Sequence, residues 1–196
     1  MTDNPAPPAA RHVPLHNPAN VLTALRLVLI PVFVVLVVGS QLGRPSWQVA
    51  ACLTFCVASF TDFVDGWIAR RFEMVTSFGK VADPIADKAL TGTALVLLSA
   101  YGQLSWWVTG LILAREWGIT ALRFWVLRYG VIPASRGGKV KTALQTAAIA
   151  WYLWPVPPPY DGIGRWIMAV ALVVTVLTGV DYIARAVRLR RAPVNA

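Results

Sequence analysis

Charge is what this chain has least of. Only 14% of its 196 residues are charged, where a water-soluble domain carries about 25%. That leaves too little charge to coat a surface facing water, and a mean hydropathy of +0.59 points to the bilayer as solvent. Cysteine is nearly missing too. Cys52 and Cys56 are four apart in an apolar run, which suits two small buried hydrophobes rather than a disulfide framework or a CxxC redox pair. Histidine is limited to His12 and His16. Their spacing suits a metal, but they stand in a Pro/Ala-rich leader with no further ligand nearby. Acidic residues number nine against eighteen basic ones. The net charge of +9 does not mark a nucleic-acid binder, because the basic residues sit between long apolar runs, where topology and anionic lipid account for them.

What is present is apolar and segmented. Residues 1–16 read as a disordered leader, with no cleavage site to make them a signal peptide. Six runs then have the length of spanning helices. They are Val21–Gly39, Trp47–Ala69, Phe78–Ala100, Ser105–Arg128, Lys139–Trp154 and Ile163–Val187. The breaks between them have causes. Gly39 to Pro45 is a turn with Gly, Ser and Pro, and Tyr101-Gly102-Gln103 is a tight turn. Arg136-Gly137-Gly138 reads as a flexible basic loop, and Pro155 to Gly162 holds four prolines. The expected fold is therefore all-α, a six-transmembrane-helix bundle over residues 17–190 with a tail at 191–196. Lys and Arg crowd the segments before the first helix, between the second and third, between the fourth and fifth, and after the sixth. Arg44 and Arg165 alone mark the other side. The positive-inside rule puts both termini in the cytoplasm.

Four of the nine acids fall within 26 residues: Asp62, Asp65, Asp83 and Asp87. Carboxylates in a membrane helix are costly and functional by default. Asp62 and Asp65, three apart, share a helix face, as do Asp83 and Asp87, four apart. The two helices are antiparallel neighbours, so their acidic faces can meet at one depth. Four carboxylates converging in a partly dry site require cations between them. An all-oxygen donor set without His or Cys favours Mg²⁺ or Mn²⁺, ions that organise in-line displacement at phosphorus. The alternative is that the aspartates face water or pair with Arg70, Arg71, Lys80 and Lys88. It serves for one of them and poorly for four at this spacing. Gly66 and Gly79 remove side chains where a bulky group must approach the backbone, and Arg70, one turn past Gly66, is placed to clamp a pyrophosphate.

The stretch from Asp62 to Asp87 reads D-x-x-D-G-x-x-A-R, eight residues, then G-x-x-x-D-x-x-x-D. In every fixed position it resembles the signature of the CDP-alcohol phosphotransferase family, whose six-helix membrane fold agrees with the segments above. That resemblance implies displacement of CMP from a CDP-linked lipid by a hydroxyl, with two divalent ions, Mg²⁺ or Mn²⁺. It implies that Asp62, Asp65 and Asp83 are metal ligands and that Asp87 is both a ligand and the catalytic base. It implies further that Gly66, Arg70, Thr76 and Gly79, with Asn20 and Thr23 on the first helix, contact the CDP-lipid; Asn20 reads equally well as a plain helix N-cap.

Asp83-Pro-Ile-Ala-Asp87-Lys88, Arg115-Glu116 with Arg123, the Ala134–Thr142 segment and Thr178-Gly179-Val-Asp181-Tyr182 with Arg185 are similar to family members whose acceptor is sn-glycerol 3-phosphate. On that likeness the partners are CDP-diacylglycerol, glycerol 3-phosphate and membrane lipid, with a homodimer in the cell membrane, its site facing the cytoplasm. The acceptor dianion needs cations, and the candidates are Arg115, Arg136, Lys139 and Arg185. Arg115 interrupts an otherwise apolar helix; pairing of Arg123 with Glu116 on the same face is the competing reading of this cluster. Inositol phosphate, as in phosphatidylinositol-phosphate synthases, or a lipid, as in cardiolipin synthases, is the alternative acceptor. A cation pathway in a transporter is a reading from another class. Apart from Glu116, helices four to six place no carboxylate deep in the bilayer, so such a path stops near one side.

Overall fold

The computed structural model describes residues 18–71, 77–126 and 136–191; for 18–20, 66–70, 77–84, 136 and 191 it describes the backbone alone. Among the described residues the chain forms six α-helices: α1 (Pro18–Ser40), α2 (Pro45–Arg71), α3 (Ser77–Ala100), α4 (Trp106–Val126), α5 (Arg136–Leu153) and α6 (Ile163–Arg191). One 3₁₀ turn, Tyr160–Gly162, leads into α6. All six expected runs appear. The expected loop at Arg136-Gly137-Gly138 does not: these residues form the first turn of α5. Glycine disfavours a helix interior but is tolerated in the first turn, where the donors lack intrahelical partners in any case.

The helix faces follow from spacing. On α1, Thr23, Arg26, Phe33 and Val37 are buried, with Ile30 partly so. Val21, Leu25, Val28, Val32 and Val35 form the opposite stripe and are exposed. Val170, Val173, Leu177 and Val180 make a similar outward stripe on α6. Branched aliphatics turned outward over most of a helix are wrong for water and right for lipid. Val21–Ser40, Pro45–Asp65 and Tyr160–Arg190 are long and apolar enough to cross a membrane. Helix α3 carries Lys80, Asp83, Asp87 and Lys88 in its first half, which lowers its apolarity.

The inner face of α2 runs through Ala51, Phe55, Ala58, Asp62 and Asp65 at spacings of three and four. That of α3 runs through Asp87, Leu90, Ala94 and Leu98. The acids therefore lie on the same stripes as the core and point inward. The core itself joins Phe33 and Phe55, with ring centroids 5.8 Å apart, to Leu95, Leu98, Ile112 and Ile149. Between membrane helices packing and hydrogen bonds do the holding. Small residues let α2 and α5 approach until the Cys52 thiol reaches the Ala150 carbonyl at 3.4 Å. Cys52 is buried and both cysteines are free. The Ser99 and Thr109 hydroxyls join α3 to α4 at 2.7 Å.

The connections at the far end are tight. Gln41 and Leu42 adopt positive φ after α1. The Ser40 hydroxyl donates to the Val37 carbonyl and accepts from the Leu42 amide, and the Gln48 amide donates to the Leu42 carbonyl. After α3, Gly102 has φ of 72°. Its amide donates to Ser99 and that of Gln103 to Leu98, which is a Schellman cap needing a left-handed residue at Gly102.

Candidate functional site

The inner stripes place the acids at one end of the bundle: the end of α2 and the start of α3, beside the start of α1. There Arg26 is wholly buried. Its Nη1 stands 2.5 Å from Asp62 Oδ1, and its Nη2 donates to Asp65 Oδ2. The Thr23 hydroxyl, one turn before Arg26, donates to the same Asp65 oxygen at 3.5 Å. Asp65 is buried and Asp62 half-exposed. The two acids three apart on α2 do share a face, and a cation stands against both. Both acids offer only carboxylate oxygens, the donor type a hard divalent ion takes, and a guanidinium stands where positive charge is needed; among the described residues no third acid, His or Cys joins them.

Arg26 was not among the candidates, yet a signal existed. It is the only charged residue in α1, and a lone charge in an apolar spanning run is a functional marker.

Asp87 lines a small cavity of about 50 Å³ between α3, α4 and α5, with Lys88, Thr91, Glu116, Lys141, Thr142 and Gln145 among its walls. Lys141, Lys88 and Glu116 share this cavity with Asp87. Lys141 is buried and paired with Glu116, and Arg115 Nη1 donates to the same Glu116 oxygen at 3.0 Å. Lys88 donates to the Thr120 hydroxyl at 2.5 Å and lies 5.8 Å above the Trp117 ring. Gln145 is buried, and its Nε2 has no hydrogen-bond partner among the described residues. The cavity thus joins two carboxylates, two ammonium groups and an amide donor without an acceptor. Lys141, Lys88 and Gln145 had not been selected by spacing. They lie on three turns of two helices, and only the packing brings them together.

The expected acceptor cations fare differently. Arg115 is inside the bundle, but its partners are Glu116 and the Thr178 hydroxyl of α6, 3.0 Å away. Gly179 makes room for it: a Cβ there would meet the Arg115 Cγ at 3.3 Å. Arg123 does not pair with Glu116; its guanidinium lies 6.0 Å from the Tyr182 ring centroid. Lys139 is exposed. Arg185 is half-exposed and paired with Asp181 one turn away. Arg136 begins α5, and its side chain lies outside the description.

For the CDP-lipid contacts, Thr23 is buried beside Asp65. Helix α1 starts at Pro18, so Asn20 stands within the first turn rather than at the cap. Gly66 and Arg70 fall on α2, and Gly79 and Asp83 on α3, without described side chains. Thr76, like His12 and His16, lies outside the described residues.

Comparison with known proteins places the chain in a family. Residues 16–177 match the family model for CDP-alcohol phosphatidyltransferase. A probable phosphatidylglycerophosphate synthase of Mycobacterium tuberculosis (strain H37Rv) is 49% identical over 172 residues, covering 88% of this chain and 82% of that protein. The CDP-diacylglycerol–glycerol-3-phosphate 3-phosphatidyltransferases of Escherichia coli (strain K12) and Shigella flexneri are 39% identical over 176 residues. Those matches cover 87% of this chain and 94% of theirs.

Proposed function

The chain belongs to the CDP-alcohol phosphatidyltransferase family, and from that premise we propose that it moves the phosphatidyl group of CDP-diacylglycerol onto sn-glycerol 3-phosphate. The products are phosphatidylglycerophosphate and CMP. The observation that carries this reading is the extended likeness to relatives of that activity, at 39–49% identity. The alignment of Asp62, Asp65 and Asp87 with the inner stripes of α2 and α3 supports it.

Asp62, Asp65, Asp83 and Asp87 would hold two divalent ions, Mg²⁺ or Mn²⁺. When bound, such ions neutralise charge on the diphosphate and the leaving CMP. Asp87 takes the acceptor's hydroxyl proton as the hydroxyl oxygen bonds to the phosphatidyl phosphorus and the bond from that phosphorus to the CMP oxygen breaks. Its place on the wall of the cavity suits this role, since a base must lie within reach of the proton it removes. Lys141 and Lys88 supply the positive charge that a phosphate dianion needs, and Gln145 Nε2 supplies a donor. Of the earlier candidates, Arg115 acts here by holding Glu116. Arg136 and Lys139, at the start of α5, and Arg185, near the end of α6, guard the approach. Gly66, Arg70, Thr76 and Gly79, with Asn20 and Thr23, receive the CDP-lipid.

The enzyme sits in the cell membrane with six spans, as a homodimer, its site and both termini on the cytoplasmic side. The outward apolar stripes of α1 and α6 and the positive-inside rule support that placement. The test is to supply purified protein in vesicles with CDP-diacylglycerol and, separately, glycerol 3-phosphate, inositol phosphate and phosphatidylglycerol. Product with the first acceptor, abolished by EDTA and restored by Mg²⁺, is expected. Product with inositol phosphate or phosphatidylglycerol but none with glycerol 3-phosphate would overturn the reading.

A further inference from the structure

Arg26 is a wholly buried guanidinium to which the reaction as set out gives no task. Burying such a group is costly unless opposite charge meets it. Arg26 reaches two carboxylates, and both belong to the expected ligand set. Its fork spans two residues one helical turn apart: Nη2 donates to Asp65, and Nη1 stands against Asp62 as an ion pair. Thr23, from the same turn of α1, braces Asp65. We propose that Arg26 is a positioning residue for metal binding: it fixes the Asp62 and Asp65 carboxylates in ligand orientation and remains paired with them when ions are bound. This rests on the reading of both aspartates as ligands.

Two physical points favour pairing over displacement. A carboxylate offers about four lone-pair directions across its two oxygens, so one guanidinium contact does not exhaust its capacity. And an ion that expelled Arg26 would strand a guanidinium with no exposed surface, at a cost charged against metal binding. The rigid planar fork is what a lysine lacks. Groups that orient metal ligands carry roughly 10- to 100-fold in metal affinity.

The test measures Mn²⁺ binding to the full-length protein in detergent, without substrate, from the EPR signal of free Mn²⁺. Arg26→Gln should bind Mn²⁺ roughly 10- to 100-fold more weakly than the parent, and Arg26→Lys should fall between the two. Equal or tighter binding by a folded Arg26→Gln would overturn the proposal and make Arg26 a competitor of the ion. If Arg26→Gln fails to fold, Arg26→Lys decides: parental affinity there overturns the fork argument, and weaker affinity supports it. A parent that binds no Mn²⁺ overturns the ligand reading together with this inference. A parent that binds, with both variants unchanged, overturns this inference alone.

Discussion

Replacing Glu116 by Gln keeps its shape and removes its charge, and the structure says what that should cost. Glu116 is the counter-charge of Lys141, which is buried on α5, and of Arg115, which is mostly buried on α4. Without it two cations face each other with only Asp87 nearby to offset them. Removing one partner of a buried pair destabilises by about 3–5 kcal/mol. Glu116 keeps some solvent contact at 19% exposure, so the lower figure applies, about 3 kcal/mol. For a chain of this size that is a drop in Tm of roughly 6–12 °C. Tryptophan fluorescence during heating in detergent reads it directly, since nine tryptophans report on the fold. The variant pairing Glu116→Gln with Lys141→Met removes both charges of that pair, so it should melt above Glu116→Gln alone. A Glu116→Gln protein melting within about 2 °C of the parent would refute the reasoning, because a drop that small corresponds to about 1 kcal/mol or less.

Asp87→Asn should abolish turnover while CDP-diacylglycerol still binds, checked by product formation and by equilibrium binding of the labelled lipid. Arg185→Gln should move Tm by no more than about 2 °C, because its pair with Asp181 is half-exposed and such pairs contribute about 0.5 kcal/mol. Its place on the approach predicts, for the same variant, weaker acceptor use, read from the KM for glycerol 3-phosphate. Gly102→Ala should cost about 1–2 kcal/mol in thermal unfolding, since its φ of 72° is left-handed.

The helices were legible because long apolar runs ended by Gly and Pro announce themselves, and three of the six are long and apolar enough to cross a membrane. The acids were legible because charge in such a run is rare. What could not be read was reach across helices. Arg26 meets Asp65 from 39 residues away, and Lys141 meets Glu116 from 25 away; no spacing rule connects them. Arg115 stands out in the sequence as a cation in an apolar helix, and Arg123 as the cation spaced to pair with Glu116. Seven residues along α4 put Arg123 on the face of Glu116, but Lys141 arrives from α5 and takes that position. The glycines after Arg136 suggest a loop, but they fall in the first turn of α5, where glycine is tolerated.

The turn joining α1 to α2 carries a mechanical consequence. Ser40 and Gln48 tie it shut at the end remote from the acids, and α1 packs along α2 more extensively than any other pair. The hairpin therefore behaves as a stiff caliper whose jaws, Arg26 on one arm and Asp62 and Asp65 on the other, keep a set gap. The α5–α6 pair is the next most extensive and meets α2 over a thinner seam. A stiff α1–α2 arm set against a thinner α2–α5 seam means that strain on the bundle should be taken up at the seam before it changes the gap between Arg26 and the two aspartates.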